Sequence, residues 1–117
     1  MELIACLSSG KGTWGHVSHL IAEGEWDKIF LLTNEFGKEN FTCEKEHEFI
    51  LFNTRVGLEE MRDSVIAGLK GKIKGTEVAI NLVSGIGKEH MAIISAVLKL
   101  GVGVRFMAIT AEGIKEL

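Results

Sequence analysis

The chain of 117 residues contains no proline and no tyrosine, only two cysteines, and no long apolar run. Its turns therefore fall to glycine, of which there are 14. These recur at the junctions between apolar runs, where strand–helix connections need them. Cys6 and Cys43 lie far apart without a CxxC partner, which supports neither a disulfide framework nor a zinc site. Two ordinary thiols in a reducing cytosol are expected, with Cys6 a small core residue. No apolar stretch approaches the ~20 residues that span a bilayer. The opening MELIACLSSG lacks the basic region that begins a secretory signal, so a cytoplasmic protein without a membrane partner is expected. Basic residues are also scarce: 13 Lys and Arg stand against 16 Asp and Glu, a net charge of −3. That disfavours a dedicated duplex-DNA binder but leaves room for a small anionic ligand in a local pocket.

What is present is the composition of one folded domain over residues 1–117, with 46% hydrophobic residues. A chain of this size buries about two-thirds of its unfolded surface. Apolar runs predict strands over residues 2–7, 28–32, 49–52, 77–83 and 104–109. Helical spacing predicts helices over 13–23 (Trp14, Val17, Leu20, Ile21), 58–69 (Leu58, Met61, Val65, Ile66, Leu69) and 90–100 (Ala92, Ile93, Ala96, Val97, Leu100). Residues 35–48 read as a polar loop with room for a short helix. Residues 110–117 read as a polar tail or an incomplete further element. Continuous apolar strands alternating with amphipathic helices predict an α/β, Rossmann-like doubly wound domain. Its sheet is expected to have five or six mainly parallel strands, with helices on both faces.

In such a sheet a ligand sits outside the carboxyl ends of the strands, where the strand order reverses. Two loops should lie there: Ser8, Ser9, Gly10, Lys11, Gly12 and Thr13, and Ser84, Gly85, Ile86, Gly87, Lys88. Each offers small residues for close approach, hydroxyl donors, one lysine, and a following helix whose first N–H groups favour an anion. The plainer reading is tight turns and helix caps; a lysine beside glycine in both loops favours a ligand site. Gly10, Gly12 and Gly15 also satisfy the dinucleotide fingerprint. That fingerprint wants an acid near Asn34 and Glu35, and Glu35 could hold a ribose, but Lys11 and Trp14 crowd the turn. No Walker A loop occurs.

His16 and His19 have metal-compatible spacing but no third ligand, so a solvated helix face is expected, and no metal or cofactor. His90 lies close enough to Lys88 to reach the same edge. His47 reads as solvated. Trp14 is either a stacking platform for a base or a packing residue of the first helix. Lys70, Lys72 and Lys74 read as a solvated turn at the opposite end of the sheet.

The segment from residue 81 to 106, NLVSGIGKEHMAIISAVLKLGVGVRF, resembles the C-terminal signature of CRISPR-associated Rossmann fold (CARF) domains. There a strand ends in a Ser/Gly turn with a basic residue, followed by an Ala-rich helix and a glycine turn. The Ser8/Ser9 turn resembles the family's other ligand loop, and the element order is similar along nearly the whole chain. The resemblance implies a homodimer that binds cyclic oligoadenylate, a messenger of type III CRISPR signalling, across its two-fold axis. It implies a sensor, a sink or a ring nuclease, since no residues remain for an effector domain. For cleavage it implies metal-free attack of a ribose 2′-hydroxyl on phosphate, leaving 2′,3′-cyclic phosphates. Ser9 or Ser8 would orient the reacting groups, and Lys88 would stabilise the developing charge. His90 or His16 could assist proton transfer. Asn34 and the two glycine loops would line the ligand. Two other readings stay open: a nucleotide or dinucleotide site on the Gly10–Gly12–Gly15 loop, and a non-enzymatic assembly subunit.

Overall fold

The computed structural model describes residues 1–7 and 10–117. Six strands form one sheet: β1 (Glu2–Cys6), β2 (Ile29–Thr33), β3 (Glu48–Leu51), β4 (Glu77–Asn81), β5 (Gly103–Thr110) and β6 (Gly113–Glu116). The spatial order is β3-β2-β1-β4-β5-β6. The first five strands are parallel and β6 returns antiparallel to β5. The helices are α1 (Trp14–Glu23), α2 (Glu35–Asn40), α3 (Leu58–Leu69) and α4 (Gly87–Lys99), and a 3₁₀ turn over Lys11–Thr13 leads into α1. This is the Rossmann-like α/β architecture that the alternation of runs predicts.

Strands β1 and β2 are buried along their whole length, which is why they read as unbroken apolar runs. Their side chains nonetheless alternate between faces. Ile4, Cys6, Phe30, Leu32, Val78 and Ile80 join the core under α3 and α4. Leu3, Ala5, Ile29, Leu31 and Ala79 join the core under α1. That helix is fixed by Trp14, Val17, Leu20 and Ile21, each worth about 1.5–3 kcal/mol when fully buried.

The differences from the sequence reading have local causes. β4 stops at Asn81, whose side chain is taken up by hydrogen bonds, so Leu82 and Val83 fall outside the strand. α4 starts at Gly87 rather than 90, because the Glu89 carboxylate accepts the Ile86 N–H at 3.0 Å. Of the two readings of residues 110–117 the further element is the one that forms: Gly113, at φ +100°, lets the chain reverse into β6. Leu58 does not share the buried face of α3 but lies exposed. His47 is half-buried rather than solvated, with its ring edge-on to Phe49 at 5.0 Å and Nδ1 3.2 Å from Cys43 Sγ. The helices cover the middle of the sheet but leave much of β5 exposed. Among the described residues no helix is long and apolar enough to cross a membrane.

Candidate functional site

The strand order reverses between β1 and β4. The chain leaves β1 toward α1 on one face and leaves β4 toward α4 on the other, so a crevice opens between the two connections. Ser8 and Ser9, expected here as ligand and reacting residues, lie outside the described residues.

On the α1 side, Lys11 and Gly12 are exposed, Thr13 is half-buried, and the first turn of α1 carries no acidic residue. Gly10, Gly12 and Gly15 all lie outside the left-handed region, and a Cβ at any of them would meet no atom of the described residues within 4 Å. The dinucleotide fingerprint uses its glycines for a tight turn and for close helix–strand packing. Gly10 and Gly12 belong to the 3₁₀ turn that leads into α1, and Gly15 stands clear of the described residues around it, without the close helix–strand packing that the fingerprint asks of its third glycine. Trp14 packs rather than lying open: it is buried, edge-on to Phe41 at 5.5 Å and tilted against Phe36 at 6.0 Å. The open ring is Phe36, a residue that sequence reasoning passed over. It is 41% exposed, with Lys11 Nζ 5.8 Å from its centroid.

On the α4 side the loop is packed. Ser84 is fully buried, and its carbonyl accepts from His90 Nε2 at 2.8 Å. Gly85 sits at φ +106°, and a Cβ there would lie 2.7 Å from Cys6 Sγ, 2.8 Å from Glu89 Oε1 and 2.9 Å from His90 Nε2. Glu89 is buried at the first turn of α4, where its charge complements the helix dipole. Burial first, and then this carboxylate, raises the pKa of the Cys6 thiol far above its ordinary value. Cys6 therefore stays a protonated core residue. Ile86 and Gly87 are exposed at the lip. Lys88 Nζ donates to the Thr54 carbonyl at 3.2 Å, reaching from α4 to the loop before α3.

Between the two sides Asn81 is buried at the end of β4. Its Nδ2 donates to the Met107 carbonyl at 2.8 Å and lies 3.0 Å from His16 Nε2. Because that nitrogen donates, His16 Nε2 accepts, and the imidazole is neutral with its proton on Nδ1. Partial burial, and then neighbouring His19, lowers the His16 pKa. His19 instead pairs with Glu23 at 2.7 Å. Among the described residues no three His, Cys, Asp or Glu side chains could hold a metal ion.

Next to the crevice, at the carboxyl ends of β2 and β3, lies a recess of about 790 Å³ lined by Asn34, Glu35, Phe36, Asn53, Thr54 and Arg55 among others. Asn34 caps α2 by accepting the Gly37 N–H at 3.0 Å. The recess joins the expected lysines: Lys11 stands over Phe36, and Lys88 holds Thr54. Arg55 supplies a third cation, and its guanidinium has no partner among the described residues. Sequence reasoning missed it. Its signal was the polar Asn53-Thr54-Arg55 step straight after the apolar run FILF.

A second basin of about 720 Å³ lies at the amino ends of the strands, lined by Glu2, Lys28, Lys72 and Lys74 among others. Its cations are engaged: Lys28 and Lys72 both pair with Glu48, whose pKa they lower, the Lys72 hydrogen bond most of all. The Glu2 carboxylate is engaged too, accepting the Lys74 and Gly75 N–H groups at 2.6 and 3.0 Å. The Lys70–Lys74 turn thus belongs to the end of the sheet opposite the crevice. No protein-family model matches the chain, and no curated protein does.

Proposed function

We propose that the chain binds an anionic nucleotide ligand at the carboxyl edge of its sheet, and that this ligand is a cyclic oligoadenylate held by a pair of protomers. The observation that carries the reading is the placing of three cations, Lys11, Arg55 and Lys88, around one recess beside the strand-order reversal. Among the described residues that line the recess Glu35 is the one acid, so phosphate is favoured over a cation. Phe36 offers a base the exposed face that Trp14 lacks. The choice of a cyclic oligoadenylate comes from the CARF resemblance of the segment from residue 81 to 106.

Binding is favoured over cleavage. Lys88 is anchored to Thr54, with two N–H groups left for a phosphate oxygen, and the remaining catalytic expectation rests on Ser9. A plain adenine nucleotide, one per protomer, is the second reading. The same recess would hold it, without the Gly10–Gly12–Gly15 geometry.

The test is calorimetry on the full chain with cyclic tetra-adenylate, cyclic hexa-adenylate and ATP, followed by product chromatography of the same samples. A ring bound at one per two chains is expected. Lys11→Ala and Arg55→Ala should each weaken it about tenfold, the loss of one charge-assisted contact. Lys88→Ala should weaken it less, because that lysine already serves a backbone carbonyl. ATP bound at one per chain in preference to either ring would establish the second reading. No affinity for any of the three would overturn both and leave the assembly subunit.

A further inference from the structure

The loop between α2 and β3 ends where β3 begins, at the end of the sheet opposite the crevice. It brings two side chains of metal-binding type together. Cys43 and His47 stand four residues apart, with Lys45 midway between them. His47 Nδ1 donates to the Lys45 carbonyl at 2.8 Å. The Cys43 thiol donates to the same carbonyl oxygen at 3.5 Å. The sulfur and the ring nitrogen are themselves 3.2 Å apart. Both side chains are half-buried, so solvent reaches them. The loop is also held from outside. Lys45 Nζ donates to the Gly24 carbonyl at 2.7 Å, and the imidazole stands edge-on to Phe49. A recess of about 580 Å³ lies beside it, lined by Trp26, Glu46, His47 and Glu48 among others.

We propose that the Cys43 sulfur, His47 Nδ1 and the Lys45 carbonyl oxygen bind a divalent transition-metal ion of the zinc class. Sulfur, nitrogen and oxygen donors bond zinc at about 2.0–2.3 Å, which at right-angled to tetrahedral spread sets them about 2.9–3.6 Å from one another. The three atoms here, at 2.8, 3.2 and 3.5 Å, already form a triangle of nearly that size. The donor set selects the metal: thiolate and imidazole suit zinc, whereas magnesium and calcium take oxygen donors. The third donor is a main-chain oxygen, so the site needs no trio of side chains. In the free chain two hydrogens converge on that oxygen, and the ion takes their place. The thiol proton leaves to solvent, and the imidazole carries its proton on Nε2 instead of Nδ1. Glu44 and Glu46, both exposed and on either side of Lys45 in sequence, add negative charge that draws a cation. Three protein donors leave a fourth position for water. None of these residues lines the recess that holds Lys11 and Arg55, so the site is independent of the ligand reading.

The experiment titrates cobalt(II) into the reduced full chain and reads thiolate-to-metal absorption in the near ultraviolet. Half-saturation at about 10 μM is expected. Cys43→Ser should lose the band, and His47→Gln should raise the midpoint about tenfold or more. His19→Gln, which breaks the other histidine pair of metal-compatible spacing, should change neither. Far-ultraviolet circular dichroism verifies the fold of each variant. A second measurement needs no variant: zinc should slow alkylation of Cys43 by iodoacetamide in the parent, read by peptide mass. No band with cobalt up to about 1 mM would overturn the inference. So would a band that survives in Cys43→Ser, an unmoved midpoint in His47→Gln, or alkylation of Cys43 at one rate with and without zinc.

Discussion

The loop after β1 and the loop after β4 contain the same residue types: serine, glycine, one lysine, then a helix. The first is open. Among the described residues its glycines have no neighbours for a Cβ, Lys11 is exposed, and the helix start carries no acid. The second is closed. Ser84 is buried, Gly85 is wedged against Cys6, Glu89 and His90, and Lys88 is anchored to Thr54. What separates them is Glu89. A carboxylate at the first turn of α4 supplies the negative charge that the helix end favours, so that end has no need of a ligand phosphate. The α1 end has no such group. Two loops of matching composition thus differ: one is packed into the fold, and the described part of the other stays exposed.

The sharpest way to break this contrast is a methyl group at one glycine on each side of the edge. Gly85→Ala places a Cβ at φ +106° within 2.7–2.9 Å of three atoms. Backbone strain and overpacking together should cost about 3 kcal/mol. Gly15→Ala adds a Cβ in open space within α1 and should stabilise by up to about 1 kcal/mol. Urea midpoints measured at constant slope would check both. Equal effects at the two positions would erase the distinction between the loops.

Removing the group that makes the difference should have the next largest effect. Glu89→Ala loses the acceptor for the Ile86 N–H and the charge at the helix start, a destabilisation of about 1–2 kcal/mol. Glu89→Gln keeps an acceptor and should lose about half as much. The second readout is inorganic phosphate affinity, by calorimetry. It should rise in Glu89→Ala, because the α4 end then lacks its own anion. Unchanged phosphate affinity together with unchanged stability would show that Glu89 does not decide which loop is open.

The fold was legible because burial leaves a mark on sequence: a strand covered on both faces reads as an unbroken apolar run, as at residues 2–7 and 28–32. The ends of elements were less legible. Their positions depend on partners distant in sequence, as with Asn81, which leaves the strand pattern to bond Met107 and His16. The candidate site was half legible. Lys11 and Lys88 follow glycine after a strand, and that local pattern can be read. Arg55 and Phe36 flank strands or helices that only the sheet order brings beside those lysines, and no local spacing signals it. Trp14 misled for a related reason: whether an aromatic packs or stacks is settled by what stands over it, here Phe36 and Phe41.

The smallest expected effect lies where the two loops meet. Asn81 gives one N–H to Met107 and the other to His16, so His16 must keep Nε2 bare. Partial burial, and to a lesser degree His19, lowers its pKa below the ordinary 6.5. The unfolded chain takes up a proton near that ordinary value, and the folded chain only at lower pH. Between the two the unfolded state binds more protons, so stability falls as pH falls. The contribution is complete above about 6.5 and is lost once pH drops through the folded pKa, when the protonated ring can no longer accept from Asn81. His16→Gln keeps an acceptor and does not titrate, so its melting temperature should fall less between pH 7.5 and 5.5 than that of the parent. His19→Gln should retain most of the parent's slope, because burial and not His19 is the larger cause. Parallel slopes for the parent and His16→Gln would mean that the crevice histidine is uncoupled from the fold. The Asn81 contact would then not hold the two sides of the edge together.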